Sequence, residues 1–85
     1  MTINILYFAW VKDKVGITEE TIVPPQDIRT VLELINWLTE RSEGHAAAFA
    51  KLDIVRAAID QKHVSFDAMI RNAKEIAFFP PITGG

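Results

Sequence analysis

The chain has 85 residues, 49% of them hydrophobic, and its nine basic and eleven acidic side chains leave a net charge of -2. A single domain spanning 1–85 is expected, burying somewhat more than about 60% of its unfolded surface; that leaves no room for a large multi-step active site, and the apolar content argues against disorder. With no cysteine, disulfides and thiolate metal sites are excluded; no basic stripe favours nucleic acid, no apolar run approaches the roughly 20 residues of a membrane span, and no basic leader follows Met1, so a cytoplasmic protein without nucleic-acid or membrane partners is expected.

Ile3 to Val11 reads as a first strand, rich in β-branched and aromatic residues and closed by a polar turn at Lys12, Asp13, Lys14 and Gly16. Alternation puts Ile3, Ile5, Tyr7 and Ala9 on one side and Leu6, Phe8 and Trp10 on the other. Both sides are apolar, so one forms the core and the other needs a cover. Thr18 to Val23 reads as a second strand, stopped by Pro24 and Pro25 and joined to the first as an antiparallel hairpin.

Thr30 followed by Glu33 has the spacing of a capping box, and Val31, Leu34, Ile35 and Leu38 then repeat at helical period, with Leu32 and Trp37 flanking the stripe. Gly44 is the expected stop after Arg41. Ala46 to Leu52 reads as a short helical turn and Ile54 to Ile59 as a strand. Asp60, Gln61 and Lys62 form a turn into a brief strand at His63 and Val64. Ser65 to Ile70 reads as a loop with one turn of helix, and Glu75 to Phe79 as the closing strand. One main helix among five strands predicts an α+β roll with the helix laid across a mixed sheet. If the first strand pairs in parallel with the last, those two are central, because parallel neighbours need the long connection that lies between them.

The chain then runs Phe78, Phe79, Pro80, Pro81, Ile82, Thr83, Gly84, Gly85. Paired prolines fix φ and bias their predecessors toward extended backbone, so residues 80–85 are expected to form an extended tail pointing away from the body. Glycine has no Cβ, and a terminal Gly84–Gly85 pair passes through a channel only as wide as a backbone. An enzyme could then reach the terminal carboxylate without meeting a side chain.

This order of elements and this ending resemble the ubiquitin-like β-grasp proteins of the MoaD family, the small subunits of molybdopterin synthase. Leu6, Tyr7, Phe8 and Ala9, Thr30 with its helix, and Val64, Ser65, Phe66 and Asp67 also sit where that family has similar residues. The resemblance implies a non-catalytic sulfur carrier within a heterotetrameric sulfurtransferase. Gly85, with Gly84 before it, would be the site of adenylation and of the thiocarboxylate. A MoeB-like adenylating enzyme would use the ATP, so no cofactor is expected on this chain. A MoaE-like large subunit would take the tail (Pro80, Pro81, Ile82, Thr83) and dock against Phe8, His63 and Phe79.

Three places in the chain depart from the family pattern. Asn72, Ala73 and Lys74 replace an acidic, glycine-containing turn, although Asn72 tolerates positive φ. Asp60 stands where Asn is common, and His63 where an apolar residue is usual. Elsewhere the residues point to structural roles. His45 and His63 lack metal-ligand spacing and are expected at the surface or in turns. Ser65 and Asp67 fit turn hydrogen bonding better than nucleophilic chemistry, Lys12, Asp13 and Lys14 fit a solvated turn, and Trp37 flanks the helix core. Two other readings stand beside the sulfur carrier of molybdopterin synthase. One is a carrier for another pathway, such as thiazole synthesis, or a protein modifier. The other is a β-grasp interaction module that binds through Leu6, Phe8, Trp10 and Phe79 and uses its diglycine for nothing.

Overall fold

The chain runs β1 (Ile3–Tyr7), α1 (Ala9–Val15), β2 (Glu19–Ile22), α2 (Val31–Thr39), α3 (Glu43–Ala48), a 3-10 turn (Leu52–Ile54), β3 (Arg56–Ile59), β4 (Lys62–Val64) and β5 (Glu75–Phe79) in a computed structural model that describes residues 1–81. The strands form one mixed sheet in the order β2-β1-β5-β3-β4. The expected parallel pairing is present: β1 runs beside β5 with Ile5 opposite Ile76, so β5 is the middle strand and β1 an interior one. The remaining pairs are antiparallel.

Period-two alternation sends Ile3, Ile5 and Tyr7 of β1 and Ile76 and Phe78 of β5 to one face, where all are buried. The period-3.6 stripe of α2 meets them with Val31, Leu34, Ile35 and Leu38, each fully buried. Phe78 sits at the centre, stacked on Tyr7 at 6.3 Å and edge-on to Phe49 at 5.0 Å. This is the expected β-grasp roll.

Local chemistry explains where α2 begins. Thr30 Oγ1 accepts from the Glu33 amide at 3.1 Å, while the Glu33 carboxylate accepts from the amides of Thr30 at 3.1 Å and Arg29 at 2.8 Å. Those backbone N–H groups hold the Glu33 carboxyl below its ordinary pKa, since they stabilise the ionised form. Asp60 and Gln61 both take positive φ (48° and 73°), as a type I′ turn requires, and they join β3 to β4. The Asp60 carboxylate accepts from the amides of Lys74 at 3.1 Å and Glu75 at 2.9 Å, tying this hairpin to the start of β5. Asn72 adopts φ 66°, so the preceding turn forms without glycine.

Four expectations require correction. The first strand does not reach Val11: it ends at Tyr7, and Ala9 (φ 53°) swings the chain into α1. Lys12, Asp13 and Lys14 therefore lie on a helix and not in a turn, although they are exposed. A run of seven helical residues is too short for periodicity to separate from an apolar strand, but Gly16 at φ 96°, donating to Lys12 O, is a helix C-cap that the sequence displays. Gly44 does not end α2, which stops at Thr39; it lies inside α3, whose N-cap is Ser42. The segment from Ser65 to Ile70 forms turns without a helical turn.

The fourth concerns His45, which is only 6% exposed. Its Nδ1 lies 2.7 Å from Ser42 Oγ and its Nε2 2.7 Å from Glu20 Oε2, with Tyr7 edge-on to the ring at 5.9 Å. His63, by contrast, is exposed as expected. Trp37 is half-buried beside the core with the Arg41 guanidinium 5.1 Å from its ring. Ser65 and Asp67 hydrogen-bond to each other, in keeping with a turn.

Candidate functional site

Opposite the helical layer, the same alternation builds a second face. The pairing aligns Glu19 of β2, Leu6 of β1, Ala77 of β5, Ala58 of β3 and His63 of β4 in one row across the sheet. The alanines are short and their neighbours long, so the row sags in the middle into a cleft of about 480 Å³. Leu6, Ala77, Phe8 and Phe79 give it an apolar lining, and Gln61, Glu75 and His63 a polar side.

Phe8 stands at the mouth with 48% of its surface exposed. Its amide donates to Phe78 O at 3.1 Å, which fixes the residue just beyond β1 beside the end of β5. Phe79, half-buried, is the last residue of β5 and lies opposite Arg56. The His63 ring packs on it, with centroids 5.1 Å apart and planes tilted by 56°. Three residues named from the sequence, Phe8, His63 and Phe79, are therefore brought to one cleft. Trp10 is not among them. Because α1 begins at Ala9, Trp10 turns to the other side and lines a separate hollow with Lys14, Ala47 and Ile54.

Pro80 and Pro81 follow β5 directly and are half-buried. Whatever touches Phe79 is thus within two residues of the tail's root. Ile82, Thr83, Gly84 and Gly85, to which the sequence assigns presentation of a carboxylate, lie outside the described residues. Glu75 was not singled out from the sequence, and neither were Ala58 and Ala77. Their grouping depends on register, which no local pattern carries.

No cluster of three or more His, Cys, Asp or Glu is placed to hold a metal among the described residues. The polar network around Glu20 faces α3 on the opposite side of the sheet, since Glu20 pairs with Ile5 and not with Leu6. Among the described residues, the cleft does not assemble a base, a nucleophile and an orienting group.

Comparison with known proteins follows the same outline. The family model described as "ThiS family" matches residues 5–85. The molybdopterin synthase sulfur carrier subunit of Escherichia coli (strain K12) is 40% identical over 83 residues, covering 98% of this chain and 99% of the relative. Among solved structures, the putative molybdopterin converting factor subunit 1 from Pyrococcus furiosus aligns with a TM-score of 0.75 at 26% identity, covering 96% of this chain and 99% of that one. A chain from the protein-protein complex of subunits 1 and 2 of molybdopterin-converting factor from Helicobacter pylori 26695 aligns over 100% of both chains with a TM-score of 0.66 at 20% identity, a likeness of fold.

Proposed function

We propose that this chain, which belongs to the ThiS family, is the sulfur-carrier small subunit of a molybdopterin synthase, working through its carboxyl terminus. The observation that carries this reading is the near full-length similarity, at 40% identity, to a subunit of that name. The chain supplies no catalytic side chain of its own and acts as a donor subunit within a larger enzyme.

A carboxylate is a poor acyl donor because its leaving group would be oxide. The Gly85 carboxylate attacks the α-phosphorus of ATP on a MoeB-like adenylating enzyme, pyrophosphate leaves, and a mixed anhydride results. Hydrosulfide from a sulfur donor then attacks the acyl carbon, the bond to AMP breaks, and the thiocarboxylate and AMP result. ATP belongs to the activating enzyme, and this chain binds no cofactor. The thiocarboxylate sulfur next serves as a nucleophile toward the pterin precursor of the dithiolene in a MoaE-like large subunit, whose contribution is to position it.

The apolar cleft supports this division of labour. Phe8 and Phe79 give the partner something to hold beside the tail root, while Pro80, Pro81, Ile82 and Thr83 carry Gly84 and Gly85 into the partner's pocket. Affinity and chemistry then reside in neighbouring parts of one small surface.

Intact-mass spectrometry after co-expression with the adenylating enzyme tests the reading. Replacement of one oxygen by sulfur at the terminus is expected, and an unchanged mass under conditions that thiolate the Escherichia coli subunit counts against it. Deleting Gly85, or adding one bulky residue after it, should abolish sulfur transfer while leaving the circular dichroism spectrum unaltered; continued dithiolene formation by either variant would show that the tail is not the working part.

A further inference from the structure

We infer that His63 determines which protein the cleft accepts: a partner that lays an apolar contact over Ala58 and Ala77 and presents one hydrogen-bond acceptor to the imidazole. This rests on the reading above that the cleft docks the large subunit.

The geometry makes His63 inseparable from the apolar contact. It ends the row Leu6, Ala77, Ala58, His63, and its ring lies against Phe79 at 5.1 Å. A partner that covers Phe79 and the alanine floor also strips water from the imidazole. Among the described residues that ring makes no side-chain hydrogen bond, and it is exposed, so its N–H faces water there. Removing that water without replacement leaves a buried donor unsatisfied, a penalty of roughly ten- to a hundredfold in affinity.

The surrounding polar groups have partners or positions of their own. Arg56 shares the face, and its Nη1 donates to the carbonyls of Asp53 and Val55, both at 3.0 Å. Asp60 is committed to the amides of Lys74 and Glu75. Glu75 also lines the cleft, two pairing rows along β5 from Ala77, and Gln61 lines it from the turn before β4. An acceptor arriving where the imidazole packs on Phe79 meets that ring as a donor. A site built around a polar group rejects partners that lack its complement far more sharply than an apolar pocket rejects a partner of the wrong size.

Isothermal titration of the thiolation-competent chain against the large subunit from the same organism decides the matter, using the unaltered protein and the variants His63→Leu, His63→Gln and Phe79→Ala. His63 is exposed, so folding should persist, and circular dichroism verifies it. We expect His63→Leu to weaken binding about tenfold or more, because it strands the partner's acceptor, and His63→Gln, which keeps an N–H donor, to recover most of the loss. Equal or tighter binding by His63→Leu would overturn the inference while the loss at Phe79→Ala left the docking face intact. No effect of Phe79→Ala on a measurable affinity would instead remove the docking face itself, and this inference with it.

Discussion

Glu20 is the residue on which most of the buried polar chemistry converges. Tyr7 Oη donates to its Oε2 at 2.7 Å, His45 Nε2 lies 2.7 Å from the same oxygen, and Arg41 reaches Oε1 at 3.4 Å. Burial alone would raise the Glu20 pKa. The hydrogen bonds of His45 and Tyr7, with the charges of His45 and Arg41, outweigh it, and the folded pKa falls below the ordinary 4.5. A depressed carboxyl pKa contributes stability that is present above the unfolded value and is lost as pH falls through the folded one. Glu20→Gln, with a single carbonyl acceptor for two converging donors, should cost about 1–3 kcal/mol in urea unfolding at neutral pH. Its stability should also decline less steeply than the parent's below about pH 4.5. Tyr7 shows the opposite sign. Burial first, and then the bond to Glu20, push its phenol above 10, so its contribution is present below the unfolded value and lost as pH rises beyond it. The chain has one tyrosine, so phenolate absorbance reads this group alone. The folded protein should show no ordinary titration at about pH 10, and urea should restore it.

At the scale of elements, the helices make two separable predictions. The Thr30 side chain closes the capping box of α2, and Thr30→Ala should destabilise by about 1 kcal/mol in urea titrations. Gly44 is where α3 meets the end of α1: a Cβ there would stand 2.6 Å from Lys14 O and 2.8 Å from Val15 O. Both are backbone atoms that cannot rotate aside. Gly44→Ala should therefore force the two helices apart at about 1–3 kcal/mol, a cost typical of overpacking. The contrast shows which elements can be read locally. The α2 cap and its apolar stripe lie within nine residues of one another, and β5 matched its expected bounds of Glu75 to Phe79. The second helix contact is invisible in sequence, because Gly44 looks like a stop signal until α1 is found beside it.

Across the whole molecule, the sheet separates a sealed face from an open one. One face is sealed under α2 and α3, and the other carries the cleft. Ile35, fully buried in the sealed face, should cost about 2–5 kcal/mol when cut to Ala. Phe8, half-exposed at the cleft, should cost under about 1 kcal/mol when changed to Ser, yet weaken the docking proposed above. Urea midpoints and titration calorimetry on the two variants check this separation; a Phe8 variant that unfolds as readily as the Ile35 variant would place Phe8 in the core after all.

Period, capping and turn chemistry are properties of neighbouring residues, and they were sufficient to determine the α+β class, the start of α2 and the closing strand. Phe8, His63 and Phe79 were also legible as candidates, through their resemblance to a family. Register and burial are not local. Whether Trp10 shares a face with Phe8 depended on a helix starting at Ala9, and whether His45 met water depended on Glu20, which reaches it from β2. Leu6 and Ala77 belong to opposite ends of the chain and become neighbours only through the β1–β5 hydrogen bonds. Those bonds, and the packing that selects one register over the next, are made only when the chain closes on itself, so the cleft's floor was decided by the tertiary structure alone.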